Sequence, residues 1–342
     1  MREPKHGKLP NLFGVVLVFA VVELATADAN ATEPKSTSPI VSSIADALLA
    51  EIIPSGRGSL CDFPDKHDPR KPLVVLVPGL LAADNSMNSI RDALCSESFG
   101  TSFFTYSSHE GIVSGANLLS KELRRVGTQW PNRNVVLLTH SMGGLVARAC
   151  VEDKNLNPGN ISRLIMIAPP NHGSAIAGLS AAELAKKFSL PNEVALASLK
   201  PIDDAIGGFV GRIKEELRPE SSVLAALNSN PIPGQISYSI IAGTGGPVPG
   251  ELIEMSLVLG RLIFGEEPDA KTSLNRVSQL ARLDEWTRGR GDGVVSVKSA
   301  KLAGVTDIVE LPFGHNDFGT ETTEVTKQVI TEVLNRLRPE RK

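Results

Sequence analysis

Residues Val135–Arg148 read Val-Val-Leu-Leu-Thr-His-Ser-Met-Gly-Gly-Leu-Val-Ala-Arg, and their reading decides the fold. Apolar residues, mostly β-formers, run into Thr139-His140-Ser141-Met142-Gly143, and a helical pattern follows at once. This is a strand, a sharp turn with a serine at its tip, and a helix. A nucleophile elbow has this layout: the turn pushes the serine Oγ out of the sheet and aims the next backbone N–H groups at the same point. Strand and helix nearly touch there, so small neighbours are needed, and Gly143 and Gly144 supply them. The usual pattern has glycine two residues before the serine; Thr139 stands in its place. An ordinary strand-to-helix turn with a surface serine would look alike locally. The rest of the chain must therefore supply a carboxylate, a histidine and an oxyanion hole.

On the N-terminal side, Leu73–Val77 is a continuous apolar run, a buried strand, ending in Pro78-Gly79-Leu80-Leu81. Asn85–Cys95 reads as a helix, Thr101–Tyr106 as a strand, and Val113–Trp130 as a long helix broken by Pro131-Asn132. Beyond the elbow, Arg163–Ala168 is the next strand and runs into Pro169-Pro-Asn-His-Gly-Ser174. Strands alternating with helices predict an α/β fold, a mostly parallel sheet with helices on both faces. Sites in such sheets lie beyond the carboxyl ends of the strands. Gly79-Leu80, Ser141 and Asn171-His172 mark three such ends, so Gly79, His140, Asn171 and His172 are expected to line the site. Residues 175–230 are mostly helical in pattern and interrupt the alternation, as a cap would. Residues 246–286 read as a second insertion around the apolar stretch Leu252–Phe264. Ile236–Ala242 and Val305–Leu311 are the last strands, and Thr320–Leu337 is a closing amphipathic helix.

The chain has 342 residues and a formal net charge of −3, with charges scattered rather than gathered in a basic stripe. That excludes a nucleic-acid reading based on phosphate neutralisation. Residues 1–27 read as an export signal: Arg2, Lys5 and Lys8 precede the apolar run Leu12–Val22, and small-residue cleavage sites follow it. The run is shorter than the ~20 residues a bilayer span needs, which leaves an uncleaved membrane anchor as the alternative. Residues 28–70 form a linker with a short helix at Ile40–Ile53, and Pro54–Pro72 reads as loop. Residues 71–342 make the main domain. Of the three cysteines, Cys150 falls among apolar helix residues and is expected buried and free. Cys61 and Cys95 flank the first strand; export would permit a disulfide between them, and they can equally stay free.

A serine nucleophile needs a base. His315 lies in Leu311-Pro-Phe-Gly-His-Asn-Asp-Phe318, between the last strand and the closing helix, on the edge where Ser141 emerges. His172 is its competitor. Among the aspartates, Asp292 stands in Arg290-Gly-Asp-Gly-Val-Val-Ser-Val297, where flanking glycines allow a tight turn toward an imidazole. Asp307 lies inside a strand pattern, and Asp203 and Asp204 suit a helix start. In this arrangement His315 takes the Ser141 proton and Asp292 orients the ring. The oxyanion would meet the N–H of Met142 and, from the first strand's loop, that of Leu80, with Gly79 letting the backbone approach.

Five segments together resemble bacterial lipases and related esterases of the α/β-hydrolase superfamily. They are Val77-Pro-Gly-Leu80, Thr139–Arg148, Ala168-Pro-Pro-Asn-His-Gly-Ser174, Gly291-Asp-Gly-Val-Val-Ser296 and Gly314-His-Asn-Asp317. The resemblance implies an α/β-hydrolase fold and a Ser141–Asp292–His315 triad. By the same carry-over Leu80 and Met142 line the oxyanion hole, and the loop at Asn171-His172 lines the site, which demotes His172 as base. Such lipases usually carry histidine where Pro78 stands. Some bind a structural calcium through the aspartate two residues after the histidine, the position of Asp317; no other cofactor is implied. The expected reaction is hydrolysis of apolar acyl esters, with lipid or another apolar ester as partner and transient contact with a lipid interface. A thioesterase, deacylase or acyltransferase would use the same residues, and a non-catalytic binding protein could share the scaffold.

Overall fold

The computed structural model describes residues 59–61, 68–80, 86–175, 212–246, 284–317 and 323–338. The readings of residues 1–27 as a signal and Ile40–Ile53 as a helix, and most of both insertions, lie outside the described residues.

Within them the strands are β1 (Ser59–Cys61), β2 (Leu73–Val77), β3 (Gly100–Thr105), β4 (Val135–His140), β5 (Ile161–Ile167), β6 (Ser237–Gly243) and β7 (Asp307–Leu311). The helices are α1 (Asn88–Ser96), α2 (Ile112–Gln129), α3 (Met142–Glu152), α4 (Ser222–Asn228), α5 (Val297–Ala300) and α6 (Glu324–Leu337). One sheet joins the strands in the order β1-β3-β2-β4-β5-β6-β7. Every pair is parallel except β1 with β3.

Burial on both faces explains the unbroken apolar runs in β2 and β4. Alternate side chains go to opposite sides. Val75, Val77 and Leu137 join Leu119 and Leu123 of α2 and Leu145 and Val146 of α3 in one core. Val74, Leu76 and Leu138 join Ile90 and Leu94 of α1 and Val329 and Val333 of α6 in the other. Helix α2 buries Ile112, Ala116, Leu119, Leu123 and Val126, one stripe at helical spacing.

The topology places the site. From β2 the chain steps to β3 on one side, then crosses to β4 on the other, so the winding reverses between β2 and β4. A crevice forms outside the carboxyl ends at such a switch point. The register sets Val77 beside Thr139, which brings Pro78-Gly79 level with His140-Ser141.

Three differences between the sequence reading and the structure have a local cause. Pro54–Pro72, read as loop, contains β1, whose residues pair antiparallel with Phe103–Thr105. A three-residue edge strand is too short to show a period of its own. Helix α5 also escaped the reading. Four residues carry no periodicity, and its cap is Ser296 Oγ accepting from Ser299 N–H at 3.1 Å. The closing helix begins at Glu324 rather than Thr320, because Thr323 caps it by accepting from Thr326 N–H at 3.1 Å.

Cys150 is buried and free, and burial pushes its thiol up to about 12. Cys95 is also a free thiol, 3.3 Å from Thr101 Oγ1, so the disulfide with Cys61 weighed from the sequence is not made. No helix among the described residues is long and apolar enough to cross a membrane.

Candidate active site

Ser141 joins β4 to α3 with φ 52° and ψ −129°. Positive φ is uncommon for a residue with a side chain and costs ~1–3 kcal/mol, so surrounding contacts must hold it. They do: Ser141 N–H donates to Ile167 O of the next strand, and Gly144 N–H donates back to Ser141 O, both at 2.9 Å. Space does the rest. A Cβ on Gly143 would lie 2.5 Å from Pro78 O and closer still to Val77 O. Helix α3 therefore starts against the β2 backbone, a closeness only glycine allows. The departure at Thr139 finds its explanation here. Thr139 is fully buried, and its Oγ1 lies 3.3 Å from the place a Gly144 Cβ would take. The bulk gained at Thr139 is matched by bulk missing at Gly144.

His315 follows β7 and turns back over the sheet edge. Its Nε2 lies 2.9 Å from Ser141 Oγ and its Nδ1 2.8 Å from Asp292 Oδ2. The other carboxylate oxygen, Oδ1, accepts from Val294 N–H at 2.9 Å and Val295 N–H at 2.8 Å. A carboxylate so placed accepts at Oδ2, which puts the ring proton on Nδ1 and leaves Nε2 to accept from the serine hydroxyl. Backbone bonds fix the two loops together: His315 N–H donates to Asp292 O at 2.9 Å. The Asp292 loop is tied down in turn by Gly246 N–H to Gly291 O and Gly293 N–H to Glu285 O, both 2.7 Å, and by Ser174 Oγ to Val294 O at 2.6 Å. Ser141, Asp292 and His315 are all buried to below a tenth of their surface.

His140 does more than flank the serine. The sequence reading expected it to line the site. Its ring sits 4.8 Å from that of His315, and its Nε2 donates to His315 O at 2.8 Å. Burial above all, and the nearness of the His315 ring after it, push the His140 imidazole down to about 3, so it is neutral. It therefore ties β4 to the His315 loop without adding charge. Gly79 closes the other side: a Cβ there would come within 2.9 Å of Ser141 Cβ. Met142 opens α3 directly after Ser141, and first-turn N–H groups lack an intrahelical acceptor. Leu80 follows Gly79 at the end of β2 and packs against the core.

Two residues expected to line the site are employed elsewhere. Asn171 is fully buried; its Nδ2 donates to Ala300 O at 2.7 Å and its Oδ1 accepts from Arg148 at 3.1 Å. His172 is exposed, with Nδ1 3.3 Å from Asn228 Nδ2. Both belong to a polar network around Arg148. This arginine pairs with Glu152 one helical turn on at 2.8 Å and also donates to Asn228 Oδ1 at 2.9 Å. Tyr238 OH donates to Glu152 Oε1 at 3.1 Å. Burial raises the Glu152 carboxyl and Arg148 opposes that. The strand-end position pointed to the site edge, but the buried guanidinium behind it needed acceptors more.

Asp307 stands at the start of β7, the end of the strand away from Ser141, and pairs with Arg336 at 2.6 Å. Asp317 Oδ2 accepts from Gly314 N–H at 2.7 Å, capping the turn that carries His315. Among the described residues no group of three or more His, Cys, Asp or Glu could hold a metal ion.

A parallel sheet that reverses at β2/β4, a serine of positive φ at the tip of the strand-to-helix turn after β4, and a histidine after β7 within hydrogen-bond distance of Ser141 and Asp292 define an α/β-hydrolase fold. Residues 105–186, from the end of β3 past the elbow and β5, match the family described as PGAP1-like alpha/beta domain. A comparison with curated protein sequences gives no match. Similar solved structures include the mature Bacillus licheniformis lipase BlEst2, 18% identical over 81% of this chain and 96% of that one, with a TM-score of 0.48. The metagenomic carboxyl esterase MGS0156 is 19% identical over 92% of this chain and 98% of its own, with a TM-score of 0.44. Phospholipase PlaB from Legionella pneumophila, in complex with thio-NAD, is 15% identical over 78% of this chain and 57% of its own, with a TM-score of 0.49. At these identities no substrate or residue role carries across, and the fold assignment rests on the strand order and the elbow.

Proposed function

We propose that this chain is a serine hydrolase that cleaves apolar carboxylic esters of the lipase and esterase kind through an acyl-enzyme on Ser141. The observation that carries the reading is the relay in which His315 Nε2 stands 2.9 Å from Ser141 Oγ while Asp292 holds its Nδ1 at 2.8 Å. His315 takes the hydroxyl proton as Oγ attacks the acyl carbonyl, and Asp292 stabilises the imidazolium. The oxyanion is met by Met142 N–H and Leu80 N–H. His315 then protonates the leaving alcohol, and the ester of Ser141 remains. Water, deprotonated by the same imidazole, attacks that ester; the bond to Ser141 Oγ breaks, the imidazolium returns its proton to Oγ, and the acid is released. Leu80 and Leu81 follow the oxyanion glycine and favour an apolar acyl chain; transient contact with a lipid surface fits such substrates. Export through residues 1–27 is part of the same proposal, and the N-terminal residue of protein recovered from the native host tests it.

The activity test uses the purified mature chain on p-nitrophenyl esters from short to long acyl chains, with and without an oil–water interface. Chromophore release that disappears in Ser141→Ala is the expected result, together with covalent labelling of Ser141 by a fluorophosphonate. No turnover and no label would overturn the ester-hydrolase reading. Turnover confined to acyl thioesters would move the chain to the thioesterases with the same three residues.

A further inference from the structure

The turn that offers Leu80 has no polar side chain of its own. Pro78 has no N–H and an apolar ring, and Gly79 has no side chain. A peptide ahead of glycine rotates with little steric resistance. Something outside the turn must set its plane. Tyr106 is placed to do so. It follows β3, the neighbour of β2, and its hydroxyl donates to Pro78 O at 3.1 Å in a buried contact. The ring is itself tightly seated. It stacks on Phe104 with centroids 5.2 Å apart and planes 13° apart. Gly115 of α2 leaves room for it, since a Cβ there would stand 3.1 Å from two ring carbons. On its other side the Pro78 carbonyl lies against Gly143, the position that admits no Cβ.

We propose that Tyr106 is a positioning residue for the oxyanion turn: its hydroxyl holds the Pro78 carbonyl inward and so fixes the backbone from which Leu80 N–H is presented. The physical reason is the planarity of the peptide. The carbonyl and N–H of one unit point in opposite directions, so anchoring Pro78 O sets the whole Pro78–Gly79 plane. The following unit, which carries Leu80 N–H, hangs from Gly79 and takes its direction from that plane. Without the hydroxyl a buried carbonyl loses its partner, and rotation of the peptide would recover a hydrogen bond at the expense of the oxyanion donor. Tyr106 touches no reacting atom; it acts through the turn. The inference rests on the ester-hydrolase reading.

Tyr106→Phe keeps the ring, its stack on Phe104 and its fit against Gly115, and removes only the hydroxyl. The test measures kcat and KM on a p-nitrophenyl ester, the affinity for a trifluoromethyl ketone whose hemiketal oxygen mimics the oxyanion, and the melting temperature. Phe104→Leu, which loosens the same packing without touching Pro78, is run beside it. Removing an oxyanion donor outright costs about 100–1,000-fold in kcat, so a donor left in place but misaligned should cost about 10–100-fold. KM should stay within about twofold, because the loss falls on the transition state. Ketone affinity should fall in step with kcat, and Phe104→Leu should lower the melting temperature without that paired loss. Unchanged kcat in Tyr106→Phe overturns the inference, as does a matched loss in both variants that tracks melting temperature. Wild-type turnover and Ser141 labelling are measured in the same series. Their failure overturns the ester-hydrolase reading and this inference with it, whereas an active wild type with an unimpaired Tyr106→Phe overturns the inference alone.

Discussion

Ser141 holds a backbone conformation that its surroundings enforce, and Gly143 sets how closely the helix behind it can approach β2. Gly143→Ala would drive a methyl into the carbonyls of Val77 and Pro78, which are main chain and cannot swing aside. Overpacking of this kind costs ~1–3 kcal/mol or more, and here any relief must pull α3 away from β2, which displaces the elbow itself. The expected outcome is a folded protein of lowered denaturation midpoint with little or no esterase activity, read by urea titration and p-nitrophenyl ester turnover. Ser141→Ala, by contrast, should leave the midpoint nearly unchanged and lower kcat by about a million-fold, the scale on which such relays lose a nucleophile. His140 makes a pH prediction. Its imidazole is pushed down to about 3 from 6.5, so protons bind the unfolded chain more readily than the folded one. Its contribution to stability is complete above 6.5 and drains away as pH falls toward 3. Melting temperature should therefore drop more steeply across that acid window in the wild type than in His140→Gln, as differential scanning fluorimetry would show; equal slopes would remove His140 from the account.

Helix α3 carries the serine at one end and a buried ion pair along its length. Arg148 and Glu152 expose 1% and 0% of their side chains, so each depends on the other and on the polar atoms around them. Removing one partner of a buried pair typically costs ~3–5 kcal/mol, because the remaining charge is left without compensation. Glu152→Leu and Arg148→Met should each lower the unfolding free energy on that scale, and the double variant should lose less than the sum of the two. Urea titration of the four proteins closes the cycle. Strict additivity would mean that the pair does not act as a unit. The elements also differ in how plainly the chain announces them. The stripe from Ile112 to Val126 spells out α2 unaided. Strand β1 and helix α5 owe their existence to β3 and to the Ser296 cap, and residues so few show no pattern of their own.

The molecule is a sheet between two apolar cores, and β4 feeds both. Leu137 and Leu138 are consecutive, fully buried, and packed on opposite faces. Leu137→Ala and Leu138→Ala should each cost ~2–5 kcal/mol as cavities in separate cores. Because one hydrogen-bonded sheet spans both cores, the two variants should still unfold in a single transition, with tryptophan fluorescence and far-ultraviolet circular dichroism coinciding. Separated transitions would mean that the faces melt independently. At this scale the site is an outcome of topology. Ser141 and His315 stand 174 residues apart, and they meet because β4 and β7 end on the same edge.

The sequence by itself determined the alternation of elements, the serine at the end of β4, and the choice of Asp292 and His315, which the fold brings within hydrogen-bond distance of one another and of Ser141. Apolar period, glycine position and chain order are local or linear properties, and Val135–Arg148, Gly291–Ser296 and Gly314–Asp317 display them without help. Only the tertiary structure decided what the remaining polar groups do. Asn171 went to Arg148 rather than to the serine, His140 to the carbonyl of His315, and Tyr106 to Pro78. A buried donor takes whichever acceptor the packing brings within reach, and that reach is set by elements far apart in the chain. No spacing of residues records it.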